Sequence, residues 1–146
     1  MALDAELEEV LQRHCSSLGS SFESKGSSRV LAQPSNRLLF AKTGEVDQVL
    51  GEAESLNAMF QASLSAGHSE TLIPTIHAFG KTANGKKAFL VTDYRSLSSG
   101  LSQENQRTLG KMLAQMHLSG TSENGMYGFG RPTHCGATVS QRLMRK

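Results

Sequence analysis

A lysine and a glutamate ten residues apart are the first candidates for chemistry in this sequence. Lys42 closes the short apolar run 38–41, which has the composition of a β-strand, and Glu52 lies in the first turns of the helical pattern that follows. A lysine at a strand end is often a solvated cation that discourages pairing between sheet edges. If a carboxylate holds the ammonium group in place, the same lysine can bind the phosphates of a nucleotide. The pair alone leaves both interpretations open.

The elements that position these residues include three predicted helices. Apolar residues recur at three- and four-residue steps over 4–18, 46–64 and 102–119. Asp4 and Ser102 are expected N-caps of the first and third helices, and Gly19 and Gly120 are expected to end them. We expect the helix over 46–64 to pack on a face of the sheet and the first helix to dock at its edge.

Strand signals occupy the segments between the helices. Two short strands flank the small-residue turn 24–28, a third ends at Lys42, and two more flank Asn84-Gly85, the strongest hairpin signal in the sequence. Pro74 places the approach to that hairpin at a sheet edge or outside the sheet. We therefore predict an α+β fold with about five antiparallel strands.

The order of these elements is that of a kinase-type ATP-binding lobe. Such a lobe covers the phosphates of the nucleotide with a small-residue turn, binds them with a lysine on the third strand, and holds that lysine with a glutamate on the next helix. The predicted domains are a protein-kinase-like N-terminal lobe with a leading helix over residues 1–95 and, over 96–146, a linker, the first helix of a truncated C-terminal lobe and a glycine-rich loop with a possible short hairpin.

Composition excludes several other classes of protein. The chain has 146 residues, 38% apolar and 19% charged, which is typical of a globular domain. A net charge of +2 and the absence of tryptophan argue against a nucleic-acid binder, and no apolar stretch has membrane-spanning length. The N-terminus is acidic rather than basic and apolar, so we expect a cytoplasmic protein. His14-Cys15 and His134-Cys135 lack the spacing of structural zinc ligands, which favours free thiols.

Five segments together carry a resemblance to a known family. The segments, in chain order, are "LLFAKTG", "GEAESLNAM", "AFLVTDYRSLS", "LGKMLAQMHLSG" and "YGFGRPTHCG". From about residue 18 to about 141 the chain resembles the fructosamine kinase family, which includes ketosamine-3-kinases and protein-ribulosamine 3-kinases and is similar in fold to aminoglycoside and choline kinases. The resemblance implies ATP-dependent phosphorylation of the 3-hydroxyl of fructosamine or ribulosamine on protein lysines, a deglycation repair.

The same resemblance implies roles for individual residues. Lys42 would bind the phosphates with Glu52 as its partner, and Glu52 is preferred to Glu54 because it follows a glycine as in the family's "GE" pair. The phosphate-covering turn would include Ser24, Lys25, Gly26 and Ser27. The hinge, which would contact adenine mainly through its backbone, would consist of Thr92, Asp93 and Tyr94.

One departure from the family pattern limits the implied activity. Phosphoryl transfer needs a catalytic-loop aspartate and a second aspartate for magnesium, whereas Asp93 is the last aspartate here and already has a place in the hinge. We therefore expect no catalytic and no metal-binding residue in the chain, and Mg²⁺ only in a full-length enzyme. The ending "QRLMRK" also departs from the family, as in a truncated product, a splice form or an early stop.

Two functions from different classes stay open. The first is the ketosamine phosphotransferase, whose partners would be ATP and a glycated protein lysine or a small ketosamine. The second is a non-catalytic nucleotide-binding or interaction module, in which Lys42 and Glu52 form an ordinary ion pair. The role of His134-Cys135 also stays open.

Overall fold

The structure, a computed structural model, describes residues 3–67, 72–96, 100 and 102–120 and the backbone of two short strands nearer the C-terminus. The helices are α1 (Ala5–His14), α2 (Val46–Ser65) and α3 (Gln103–Ser119). The strands are β1 (Ser21–Ser24), β2 (Arg29–Gln33), β3 (Arg37–Gly44), β4 (Ile76–Lys81), β5 (Ala88–Asp93), β6 (His134–Cys135) and β7 (Thr138–Val139). The predicted element order and the α+β class are confirmed.

The first five strands form one antiparallel sheet in the order β1-β2-β3-β5-β4. β3 is its central strand and pairs Lys42 with Leu90 of β5. The predicted hairpin joins β4 to β5, and Gly85 has a φ of 69° there, which glycine adopts without steric cost. The short strands β6 and β7 pair antiparallel with each other, in agreement with the short hairpin expected as possible in the tail. The five-stranded sheet with α2 packed on it has the architecture of a kinase-like N-terminal lobe.

The sheet is covered on both faces. β5 is buried from Ala88 to Thr92, a continuous run that requires apolar partners on both sides. The core between α2 and the sheet contains Val49, Leu50, Ala53, Ala88 and Leu90. The core on the opposite face contains Val10, Leu11, Cys15, Val30, Ala32, Leu39, Ala41, Phe89 and Val91. Side chains of β3 and β5 therefore alternate between two separate cores.

The expectations for the first helix were wrong in two respects. α1 ends at His14, and the chain then turns, with the Leu18 N–H donating to the Cys15 carbonyl at 2.9 Å. His14, Cys15 and the two serines that follow are all weaker helix formers than the Leu, Gln and Arg residues at 11–13. α1 also lies against a face of the sheet rather than at its edge, because Phe89 and Val91 of β5 need cover on the side opposite α2.

The third helix begins and ends where the sequence predicts. The Ser102 hydroxyl accepts the N–H of Asn105 at 3.1 Å, and the Gly120 N–H donates to the Met116 carbonyl at 2.8 Å. α3 packs against α2 and buries Met116, whereas Leu118 stays 84% exposed. In the described part of the chain, no helix combines the length and apolar character that crossing a membrane requires.

Candidate functional site

Lys42 extends from the face of the sheet that carries α2. Its neighbour Ala41 is buried in the core beneath α1, so the alternation of β3 directs Lys42 to the other side. There its ammonium group donates to the carboxylate of Glu52 on α2. The predicted ion pair is therefore present, and both side chains are only partly exposed, at 26% and 39%.

α2 holds Glu52 close to the strand because its residues on either side are small. Gly51 and Ala53 are both buried, which lets the helix axis approach the sheet. The helix begins at Val46, and its N-cap is Glu45, whose carboxylate accepts the Gln48 N–H at 2.8 Å. A capped helix that packs closely on the strand fixes the carboxylate opposite the ammonium group.

The turn between β1 and β2 has an unusual backbone. Gly26, Ser27 and Ser28 all have positive φ, at 81°, 47° and 63°. The left-handed region costs a residue with a side chain about 1 kcal/mol or more, so the two serines are strained. Two hydrogen bonds close the turn, from the Lys25 N–H to the Arg29 carbonyl and from the Arg29 N–H to the Gly26 carbonyl.

The side chains of Ser24 and Lys25 make local contacts in the turn. The Ser24 hydroxyl accepts the Gly26 N–H at 3.4 Å, and the exposed Lys25 pairs with Glu23 at 2.7 Å. Strained residues in a short turn are common where backbone must approach a ligand closely. The turn therefore stays a candidate for covering a ligand, and its only glycine is Gly26.

The predicted hinge comprises the last two residues of β5 and the residue after it, and its backbone is tied to the sheet. The Asp93 N–H donates to the Thr75 carbonyl at 2.9 Å, and the Tyr94 N–H donates to the Leu38 carbonyl at 3.2 Å. The buried Thr92 donates its hydroxyl to the Asp93 carbonyl at 3.1 Å. The N–H groups of Asp93 and Tyr94 are thus already bonded within the protein, and Thr92 is paired with Phe40 in the sheet.

The Asp93 side chain has partners that the sequence did not reveal. Its carboxylate accepts Arg37 of β3 and His77 of β4, each at 2.9 Å. Burial by itself raises the pKa of Asp93, but the hydrogen bond from His77 and the charge of Arg37 outweigh it and hold that pKa below its ordinary value. Asp93 therefore stays ionised and joins three strands at the hinge.

A cavity of about 510 Å³ brings the helix, the turn and the hinge together. Of the predicted site residues, Ser27, Glu52, Thr92, Asp93 and Tyr94 line it. The other lining residues are Phe40, Leu56, Leu72, Pro74, Leu90 and Arg95. The volume lies within the range of sites for small molecules and cofactors, and most of the wall is apolar.

Two predicted residues lie at a neighbouring cavity instead. Lys42 and Ser24 line a smaller space of about 270 Å³ between the turn and the start of α1. Lys42 is nevertheless next to the larger cavity, because its ion-pair partner Glu52 lines that cavity. Phe40 was missed as a wall residue, although its alternation with Leu39 and Ala41 on β3 places it on the same face as Lys42.

A metal site finds no support in the described part of the chain, which holds no group of three or more histidine, cysteine, aspartate or glutamate side chains. Cys15 is a buried free thiol whose pKa is raised by burial, and His14 packs its ring 4.9 Å from that of Phe89. The side chains of His134 and Cys135, and most of the "YGFGRPTHCG" segment, lie outside the described residues.

The fold and the ion pair define the class of the protein as a kinase-type phosphotransferase lobe, in which a strand lysine and a helix glutamate meet beside a cleft. The family model for fructosamine kinase matches residues 27–145. The chain therefore belongs to the fructosamine kinase family. No curated protein and no solved structure matches it.

Proposed function

We propose that this chain binds ATP in the larger cavity and forms the nucleotide-binding part of an enzyme that phosphorylates the 3-hydroxyl of fructosamine or ribulosamine on protein lysines. The observation that carries the proposal is the Lys42–Glu52 ion pair at the edge of that cavity. Family membership supports the ketosamine as the acceptor.

The walls of the cavity suit an adenine ring at one end and phosphates at the other. Phe40, Leu90 and Leu56 offer apolar contact to a planar base. Because the N–H groups of Asp93 and Tyr94 are bonded within the sheet, we propose that adenine is recognised mainly by these apolar walls and by groups that follow Tyr94. The phosphates would then extend toward Ser27 and the Lys42–Glu52 pair.

The Lys42–Glu52 pair suits phosphate binding because its charges are already balanced. A lysine without a carboxylate would either lose solvation on entering the cleft or point away from it. Glu52 keeps the ammonium group in the cleft, where its remaining hydrogens can be donated to phosphate oxygens. This positioning is the contribution we assign to the pair.

The described residues do not fit a Mg²⁺ site or a catalytic base. Asp93 is committed to Arg37 and His77, and Glu52 is committed to Lys42. The 146 residues hold no aspartate after Asp93. We therefore propose that these residues alone bind the nucleotide without completing transfer.

Binding and transfer are tested separately. ATP should raise the thermal midpoint of the chain, because a ligand that binds only the native state stabilises it. Lys42→Met should abolish most of that shift, whereas Lys81→Met, which removes an exposed lysine from another strand of the same sheet, should leave it intact. A shift that is equal in both variants would refute the phosphate role of Lys42.

Phosphoryl transfer is tested by incubating the chain with ATP, Mg²⁺ and a fructosamine or ribulosamine substrate. We expect no 3-phosphate product above a blank without protein. Product formation that Lys42→Met abolishes would show that the chain itself supplies the catalytic groups.

A further inference from the structure

Arg29 lines the smaller cavity beside Lys42, and its side chain lies between the turn and the hinge that border the larger cavity. It is the first residue of β2, directly after the strained turn, and its Nε donates to the Gly26 carbonyl at 3.4 Å. Its guanidinium carbon lies 5.9 Å from the centre of the Tyr94 ring. Tyr94 lines the cavity on the hinge side and Ser27 lines it on the turn side. The arginine therefore spans from the turn to the hinge.

The charge of Arg29 is not balanced by a carboxylate among the residues that the structure describes. The other cations of the turn and the adjoining strand are paired, Lys42 with Glu52 and Lys25 with Glu23. The charge of Arg29 is therefore available to an anion that enters beneath the turn.

We propose that Arg29 is a second phosphate-binding cation, whose guanidinium exchanges the Tyr94 ring for a phosphate oxygen of the nucleotide. This role rests on the proposed function, because it needs ATP in the larger cavity. It adds to that function a charged residue that the sequence analysis did not single out.

The exchange favours the phosphate on physical grounds. An exposed cation–π contact changes an equilibrium constant only about two- to five-fold. A guanidinium–phosphate contact is charge-assisted and can be bidentate, so it is considerably stronger. The Nε contact with the Gly26 carbonyl keeps the side chain beside the turn, so only the end of the side chain has to move.

The test is calorimetric titration of the full chain with ATP and, as a probe without phosphates, with adenosine. Arg29→Gln should weaken ATP binding about tenfold and adenosine binding less than about twofold. Arg29→Lys retains the charge and should weaken ATP binding only about threefold. The matched control is Arg95→Gln, which removes the same charge from the hinge side of the cavity and should cost less than about threefold for ATP.

The outcomes separate this role from the function on which it rests. If the unaltered chain binds neither probe, the proposed function fails and the role of Arg29 fails with it. If the unaltered chain binds ATP and Arg29→Gln binds it equally well, only the role of Arg29 is overturned. If Arg29→Gln loses equal affinity for ATP and adenosine, the arginine contacts the base and not the phosphates. If Arg95→Gln loses as much affinity for ATP as Arg29→Gln does, the effect is one of general charge. Either result also overturns the role of Arg29 in phosphate binding.

Thermal unfolding without ligand checks that each variant folds. If Arg29→Gln does not fold, the affinity of Arg29→Lys for ATP and adenosine decides the question. Weaker binding of ATP alone then supports the phosphate-binding role of Arg29, and unchanged binding of ATP overturns it.

Discussion

Replacing Asp93 with asparagine should destabilise the protein at neutral pH and have little effect in acid. One carboxylate oxygen of Asp93 accepts hydrogen bonds from Arg37 Nε at 3.1 Å and His77 Nε2 at 2.9 Å, and Arg37 Nη2 forms an ion pair with the same oxygen at 2.9 Å. The side chain is only 19% exposed, so water and salt screen these contacts less than they screen a surface pair. Asparagine keeps the shape and one acceptor oxygen but removes the charge.

The sign of the pH dependence follows from the lowered pKa of Asp93. Burial opposes ionisation, yet the hydrogen bond from His77 and the charge of Arg37 outweigh it. A carboxyl group with a depressed pKa contributes stability above its unfolded pKa, about 3.9, and loses that contribution as the pH falls through the folded value. The difference between the two proteins should therefore be greatest at neutral pH and should shrink below about pH 4.

The magnitude follows from the number and kind of the lost contacts. A hydrogen bond to a charged group contributes about 1.5–3 kcal/mol, and asparagine retains part of that interaction. We expect the free energy of unfolding at pH 7 to fall by about 1–2 kcal/mol, equivalent to a decrease of roughly 2–8 °C in Tm for a domain of this size.

Urea denaturation of both proteins between pH 3 and pH 7 measures the difference. Glu9→Gln is the matched control, because the Arg13–Glu9 pair is more than half exposed at both residues and should contribute less than about 0.5 kcal/mol. The reasoning is refuted if Asp93→Asn is no more destabilising than Glu9→Gln at pH 7. A loss that is constant down to pH 3 would show that the asparagine disturbs packing and not charge.

Three further substitutions, two of them with a companion variant, test the fold by denaturation. Leu11→Ala should lower the free energy of unfolding by about 3 kcal/mol, because Leu11 is fully buried between α1 and the sheet. Leu118→Ala, at an exposed position of α3, should lower it by less than about 0.5 kcal/mol. Equal losses in the two variants would contradict the placement of α1. Gly85→Ala should cost about 1 kcal/mol because φ is 69° there, and an unchanged midpoint would show that the hairpin adopts another turn. Ser102→Ala should cost about 1 kcal/mol by removing the N-cap of α3, with Ser102→Asp as the variant that restores it.

Local sequence signals predicted the parts of the fold that local forces determine. The hairpin depends on two adjacent residues at Asn84-Gly85, and the start of α3 depends on one hydroxyl at Ser102. The hairpin and the start of α3 need no information from distant parts of the chain. The ion pair was predicted as well, but the choice of Glu52 over Glu54 rested on the family's "GE" pair.

The missed features involve residues far apart in the sequence. Arg37 and His77 meet at Asp93 only because β3 and β4 both pair with β5, and sheet order is not a local property. The docking of α1 on a face followed from burial of β5 on both sides. The run Ala88–Thr92 carries that signal in the sequence, since a continuous apolar strand is expected to be covered on both faces.

The position of Lys42 depends on packing that lies outside the matched part of the family. The match begins at Ser27, so α1 and β1 both precede it. α1 nevertheless covers the face of β3 opposite the cleft, where Leu39 and Ala41 are buried beneath Leu11 and Cys15. Since the side chains of a strand alternate, fixing Ala41 on one face fixes the direction of Lys42 on the other. The helix that the family model leaves out therefore belongs to the structural basis of the phosphate-binding site that we propose.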